Sequence, residues 1–162
     1  MAYDGISRRL VMALKHGDRQ DLVGPFASWM LEALPTTPST EDVFLPVPIH
    51  WRRMLKRKFN QSALLAKAMA RLSGANFIPD ALLRLRHTPP QEGMTLIERF
   101  ELQAGTIVPH HSRSKRLKDR KVIIVDDVMT SGATLAAAAT AVHAAGARCV
   151  NTVTLTRVVK EI

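Results

Sequence analysis

One fourteen-residue stretch constrains this chain more than any other: Val122-Ile123-Ile124-Val125-Asp126-Asp127-Val128-Met129-Thr130-Ser131-Gly132-Ala133-Thr134-Leu135. Four consecutive β-branched residues are stiff at χ1 and suit an extended backbone. A run without polar alternation fits a strand buried on both faces, the condition of a parallel sheet covered by helices. Two carboxylates close the run, a hydroxyl-rich turn with one glycine follows, and an alanine-rich helix runs from Ala133 to Ala145, closed by Gly146. Strand, turn and helix in direct succession predict an open α/β sheet.

The flanking sequence supplies the remaining layers. Ile6, Leu10 and Leu14 recur every four residues and predict an amphipathic helix ending near Lys15-His16-Gly17. Leu22, Phe26, Trp29, Met30 and Ala33 predict a second helix stopped by Pro35, with Trp29 and Met30 in the core. Residues 35–40 read as a loop, and Val43 to Ile49 as a short buried strand punctuated by prolines. A helix is expected over 61–73, carried by Leu65, Met69 and Leu72, followed by a strand from Phe77 to Leu85. Thr88-Pro89-Pro90 marks a break. Leu96, Ile97 and Phe100 suit a short helix, and strands are expected at Thr106–Val108 and Val150–Val159. No internal repeat or linker interrupts the series.

With 162 residues, 46% of them hydrophobic and 23% charged, the chain is long enough for one packed core, and a disordered tail or fibre is excluded. No apolar run approaches the roughly 18–20 residues of a bilayer span, so no membrane is expected. The first residues lack the basic and apolar regions of a secretory signal. Cys149 is the sole cysteine, which excludes intrachain disulfides and cysteine-based zinc sites and fits a cytoplasmic setting; early in a strand, it reads as a small buried hydrophobe.

The net charge of +9 is concentrated. Arg52, Arg53, Lys56, Arg57 and Lys58 place five basic residues in seven; Arg113, Lys115, Arg116, Lys118, Arg120 and Lys121 place six in nine, opposed only by Asp119. The rest of the chain carries a net −1. Such fields attract nucleic acid or a small phosphorylated ligand, unless they are simply solvated faces. Only Trp51 and Phe59 flank the first cluster with aromatic rings. His110-His111 lies without partners at metal-ligand spacing, and His50 is either a pyrophosphate contact or a solvated loop residue.

The chemistry centres on the carboxyl end of the strand expected over Lys121–Val128, where ligands of open α/β folds bind. A helix N-terminus offers unpaired N–H groups and a positive dipole end to a phosphate. Thr130, Ser131 and Thr134 add hydroxyls, and Gly132 lets the backbone approach closely. Asp126 and Asp127 repel a phosphate and suit vicinal sugar hydroxyls or a divalent cation. These parts describe a sugar-phosphate pocket. Neither a P-loop nor a dinucleotide fingerprint is present. A receiver domain needs more than the 35 residues that follow Asp127. Helix capping alone would explain one hydroxyl, but not the paired acids beside it.

The segment Asp126–Thr134 resembles the phosphoribosyl pyrophosphate (PRPP) motif of the type I phosphoribosyltransferases. Val47-Pro48-Ile49-His50, Lys56-Arg57-Lys58-Phe59-Asn60-Gln61, Thr88-Pro89-Pro90-Gln91 and Glu98-Arg99 are similar to the competence protein F (ComF) family within that superfamily. The likeness extends from Tyr3 to Arg157. It implies a type I phosphoribosyltransferase fold, an open, mostly parallel sheet flanked by helices. One domain would fill residues 1–162, with a helical hood segment over 1–41 and an α/β core over 42–162.

The same resemblance implies an Mg²⁺-dependent transferase that moves a phosphoribosyl group from PRPP to an acceptor and releases pyrophosphate. Asp126 and Asp127 would be its catalytic acid pair, holding the ribose hydroxyls. Thr130, Ser131, Gly132, Ala133 and Thr134 would hold the 5-phosphate. Pro48, Ile49 and His50, with Arg52 and Arg53, would form the pyrophosphate loop. Arg113, Lys115 and Arg116 would belong to a flexible loop closing over the site. Mg²⁺ would be held mainly by PRPP, with Asp126 and Asp127 as its protein contacts. Single-stranded DNA and the competence machinery are the alternative partners, and a homodimer is left open. The sequence departs from the family in having no four-cysteine zinc module, and in placing Glu101-Leu102 where an asparagine is common. Nothing in it names the acceptor.

Overall fold

The β-branched run occupies the middle of a four-stranded parallel sheet. The computed structural model describes residues 1–15, 19–89 and 93–159. His16, Gly17, Pro90 and Gln91, which figured in the expectations above, lie outside the described residues, as do the side chains of Lys56 and Arg57. In chain order the elements are α1 (Gly5–Lys15), α2 (Val23–Glu32), β1 (Val43–Pro46), α3 (Trp51–Arg57), α4 (Gln61–Ser73), β2 (Asn76–Phe77), β3 (Leu82–Arg84), α5 (Leu96–Gln103), β4 (Ile107–Pro109), β5 (Lys121–Met129), α6 (Ala133–Ala144) and β6 (Cys149–Arg157). The sheet order is β2-β1-β5-β6, all parallel, and β3 with β4 forms a separate antiparallel pair.

The alternation of a strand explains the layering. Ile123 and Val125 point into one core with Phe44, Val11, Leu14, Phe26, Met30, Leu65 and Met69, so α1, α2 and α4 cover that face. Val122 and Ile124 point into the other, with Val43, Leu45, Leu82, Ile107, Leu135, Ala138 and Val142, so α6 and the β3–β4 pair cover the opposite face. Val122 to Val125 are at most 1% exposed. At the outer edge of the sheet, Arg157 donates its N–H to the Met1 carbonyl (2.9 Å) and Tyr3 donates to Arg157 O (2.8 Å), which covers part of β6's free edge.

Three local expectations are corrected. The strand expected from Phe77 to Leu85 is two strands in different sheets. Pro79 has no N–H to continue a ladder, and the chain leaves β2 there before β3 begins. Trp29 is 50% exposed while Phe26 and Met30 are buried, because the inner stripe of α2 passes beside it. Cys149 is exposed at the start of β6. Among the described residues, no helix is long and apolar enough to cross a membrane.

Candidate functional site

A cavity of about 440 Å³ opens at the carboxyl ends of β1 and β5. Adjacent parallel strands deliver their carboxyl ends to one rim, so the turn after β1 (Pro48, Ile49, His50) meets the acid pair of β5. Val47 continues the ladder by donating to Val125 O (2.9 Å).

Asp126 Oδ1 accepts from Ser62 Oγ and from the Asp127 N–H, both at 2.9 Å. Burial, and then the neighbouring Asp127 charge, push the Asp126 carboxyl up to about 7. Asp127 Oδ2 lies 3.3 Å from Lys15 Nζ, the side chains being 13% and 19% exposed. Beyond the pair, Gly132 adopts φ 82°, the left-handed conformation glycine tolerates, and opens α6. Thr130 and Thr134 face the main cavity; Ser131, Gly132 and Ala133 line a small adjoining depression. Ser131 Oγ accepts from the Ala133 N–H at 3.4 Å.

The opposite wall is cationic and comes from separate elements. Arg53 on α3 donates from Nη2 to the Thr88 carbonyl (3.0 Å). Arg84 on β3 donates to Thr88 Oγ1 (2.9 Å) and Gln103 Oε1 (2.8 Å), and Gln103 is 1% exposed. Burial, and then the Arg53 charge, hold the Arg84 guanidinium below its usual value. Arg99 on α5 also lines the cavity. A capping box starts that helix: Thr95 Oγ1 accepts from the Glu98 N–H, and Glu98 accepts from the Thr95 N–H.

His50 is neither solvated nor free to turn. It is 6% exposed and caps α3, its Nδ1 accepting from the Arg52 N–H at 3.3 Å. Burial, followed by His87 and the cations of Arg52, Arg84 and Arg53, holds its imidazole below the usual value. An Nδ1 acceptor leaves Nε2 as the ring donor.

The structure therefore gathers Pro48, Ile49, His50, Arg53, Asp126, Asp127, Thr130 and Thr134 around one cavity. Arg52 is not among its lining residues. Its guanidinium lies 5.3 Å from the centre of the exposed Trp51 ring. Arg113, Lys115 and Arg116 are corrected more strongly. They sit in a 3₁₀ turn before β5, exposed, and none lines the cavity. Arg113 is paired with Asp80, while Arg120 (with Glu41) and Lys121 (with Asp42, 3.2 Å) mark the amino end of β5. That end is nine residues, roughly 30 Å, from the carboxyl end. The segment beside the cavity is instead the β3–β4 connection, through Thr88, Pro89, Arg99 and Gln103.

Sequence reasoning gave no role to Lys15, Ser62, Arg84 or Gln103, and it singled out Asn60, Gln61, Thr88 and Arg99 only as part of the family resemblance. The Thr95-Leu96-Ile97-Glu98 spacing could have announced α5 as a capped helix, but no local signal turns Arg84 or Lys15 toward the site. As to a metal, no group of three His, Cys, Asp or Glu side chains among the described residues could hold one. With Asp127 engaged by Lys15, this donor set does not fit an Mg²⁺ cage.

The parallel sheet with paired acids at a strand end and a glycine-opened helix lies largely within residues 61–160, which the family model for the phosphoribosyl transferase domain matches. The chain belongs to that family. Among curated proteins it is similar to Competence protein F of Haemophilus influenzae, 29% identical over 94 residues (58% of this chain, 41% of that protein). It is also similar to DNA utilization protein YhgH of Escherichia coli O157:H7, 28% identical over 132 residues (78% and 56%). The chain thus spans about half the length of these relatives, and the likeness to competence protein F read from the motifs is borne out. Among solved structures, hypoxanthine-guanine phosphoribosyltransferase from Schistosoma mansoni in complex with IMP aligns over 86% of this chain and 56% of its own, with 14% identity and a TM-score of 0.42.

Proposed function

We propose that the chain binds PRPP and transfers its phosphoribosyl group to an acceptor, releasing pyrophosphate. One observation carries this reading: the acid pair, with Thr130 and Thr134 at the start of α6, lines a single cavity together with Arg53, Arg84 and Arg99. The acid side suits ribose hydroxyls and the helix N-terminus suits the 5-phosphate. The guanidiniums suit a pyrophosphate, for which planar, multidentate donors are the natural partners. In the transfer, the bond from ribose C1 to the pyrophosphate oxygen breaks with its electron pair leaving on pyrophosphate, and an acceptor lone pair forms the new bond at C1. Arg53, Arg84 and Arg99 neutralise the leaving group, and Asp126 and Asp127 orient the sugar. Any Mg²⁺ would come on the ligand's own phosphate oxygens. The β3–α5–β4 segment and the end of α1 serve as the hood of a cytoplasmic protein, in place of the helical hood expected over residues 1–41, whose α1 and α2 instead pack into the core against one face of the sheet.

Calorimetric titration of PRPP into the parent chain and into Asp126→Asn/Asp127→Asn tests this. Binding by the parent and its loss in the variant are expected; no binding by the parent, or equal binding by both, contradicts the reading.

A second reading, single-stranded DNA handling in a competence context, is favoured by Trp51. Its ring is 60% exposed, carries the Arg52 guanidinium and lies beside His50 at the cavity. An exposed aromatic with an adjacent cation suits base stacking. Salt-dependent oligonucleotide binding that falls in Trp51→Ala while PRPP binding persists would establish it.

A further inference from the structure

We propose that Lys15 is the resident counter-cation of the acid pair, so that a ribose phosphate is held at Asp126 and Asp127 without a divalent ion. This rests on the sugar-phosphate reading of the cavity. It goes beyond it by assigning the charge partner of the acids to the protein itself.

The ion pair is built in. Val11 and Leu14, both 0% exposed, anchor α1 in the core, and Lys15 is its last residue. Gln61, 2% exposed and the first residue of α4, donates from Nε2 to the Lys15 carbonyl (3.2 Å). Its neighbour Ser62 donates to Asp126. One turn of α4 therefore holds both the backbone from which Lys15 projects and one of the acids. The Asn60 side chain caps that turn by accepting from the Ser62 N–H (3.1 Å) and ties it to β1 through Val47 O (3.0 Å). By contrast, the surface pair Arg19–Asp21 has side chains 54% and 62% exposed, where solvent weakens the attraction.

Charge and coordination lead to the same place. A divalent ion on Asp127 would have to approach an oxygen that already faces an ammonium at 3.3 Å, and the two cations would repel at close range. Among the described residues no third His, Cys, Asp or Glu side chain joins the pair to offset that cost. An ammonium on this carboxylate still leaves lone pairs for a sugar hydroxyl, because each carboxylate accepts several hydrogen bonds.

The experiment uses ribose 5-phosphate, which has the vicinal hydroxyls but no pyrophosphate to carry a metal. The parent should bind it equally, within about twofold, in excess EDTA and in millimolar Mg²⁺. Lys15→Met should bind about tenfold more weakly in EDTA and recover at least about threefold with Mg²⁺, while Lys15→Arg stays close to the parent. Mn²⁺ binding followed by electron paramagnetic resonance, with no sugar present, should be absent from the parent's acid pair. It should appear in Lys15→Met and vanish in Lys15→Met/Asp127→Asn. Strict Mg²⁺ dependence in the parent, or a Lys15→Met protein that gains no Mn²⁺ site, overturns the proposal. If the parent fails to bind ribose 5-phosphate under either condition, the sugar-phosphate reading falls, and the Mn²⁺ measurement still decides the role of Lys15.

Discussion

The two sides of the cavity differ in how the chain builds them. The acid side is nearly contiguous: Asp126 to Thr134 pass from strand to turn to helix within nine residues. The cationic side is assembled from α3, β3 and α5, whose arginines at 53, 84 and 99 meet only after folding. A contiguous site is specified by local backbone chemistry, namely a strand end, a left-handed glycine and a helix N-terminus. An assembled site is specified by packing, here the half-buried Arg84 bonded to the buried Gln103 and Thr88. The two sides should therefore fail differently when altered.

The largest effect is expected at Arg84. Arg84→Met removes the donor shared by Thr88 and Gln103, and PRPP affinity should fall about 100-fold while ribose 5-phosphate affinity changes by less than about threefold. Equal losses for both ligands in calorimetry would mean that the two sides do not divide the ligand as described.

Gly132→Ala tests the acid side through its backbone. The new Cβ meets nothing closer than Met129 Sδ at 3.9 Å, so its cost comes from φ 82° and not from a clash. A loss of about 1–2 kcal/mol is expected, lowering the melting temperature by several degrees in calorimetry.

Asp126→Asn should separate the two sides by pH. Burial, and then the Asp127 charge, push this carboxyl from an ordinary 3.8 up to about 7 in the fold. The folded state therefore resists ionisation, and this residue's contribution to stability worsens as pH rises from about 4 to about 7. Asn removes that cost, so the variant's melting temperature should exceed the parent's by more at pH 8 than at pH 5. The reverse order in thermal melts would contradict the burial argument.

The smallest effect belongs to the second basic cluster. Arg113→Ala/Lys115→Ala/Arg116→Ala should leave PRPP affinity within about twofold, since none of the three lines the cavity. A tenfold loss in the same titration would return this segment to the site.

Much of the fold could be read in advance because burial leaves a period in the sequence. The Val122–Val125 run announced β5, and the helix expected over 61–73 has those bounds in α4, where Asn60 caps one end and Gly74 turns left-handed at the other. The acid pair and the hydroxyl turn were legible for the same local reason. Lys15 was not, because helical spacing marks only where α1 ends. What lies beyond that end depends on Gln61, 46 residues away in the chain. The two basic clusters look alike in sequence, yet one follows β1 at its carboxyl end and the other precedes β5 at its amino end. Strand direction decides which reaches the cavity, and composition carries no direction. Leu96, Ile97 and Phe100 show a related limit: their spacing indicated the helix, but all three are exposed and the buried residue of α5 is Gln103.

The most direct test of the account is a crystal structure of the chain with ribose 5-phosphate. The account predicts the 2- and 3-hydroxyls on Asp126 and Asp127, with Lys15 Nζ still on Asp127, and the phosphate at the backbone N–H groups of residues 131–134. A ligand seated instead on Arg113, Lys115 and Arg116, or inverted with its phosphate on the Arg53–Arg84 wall, would contradict it.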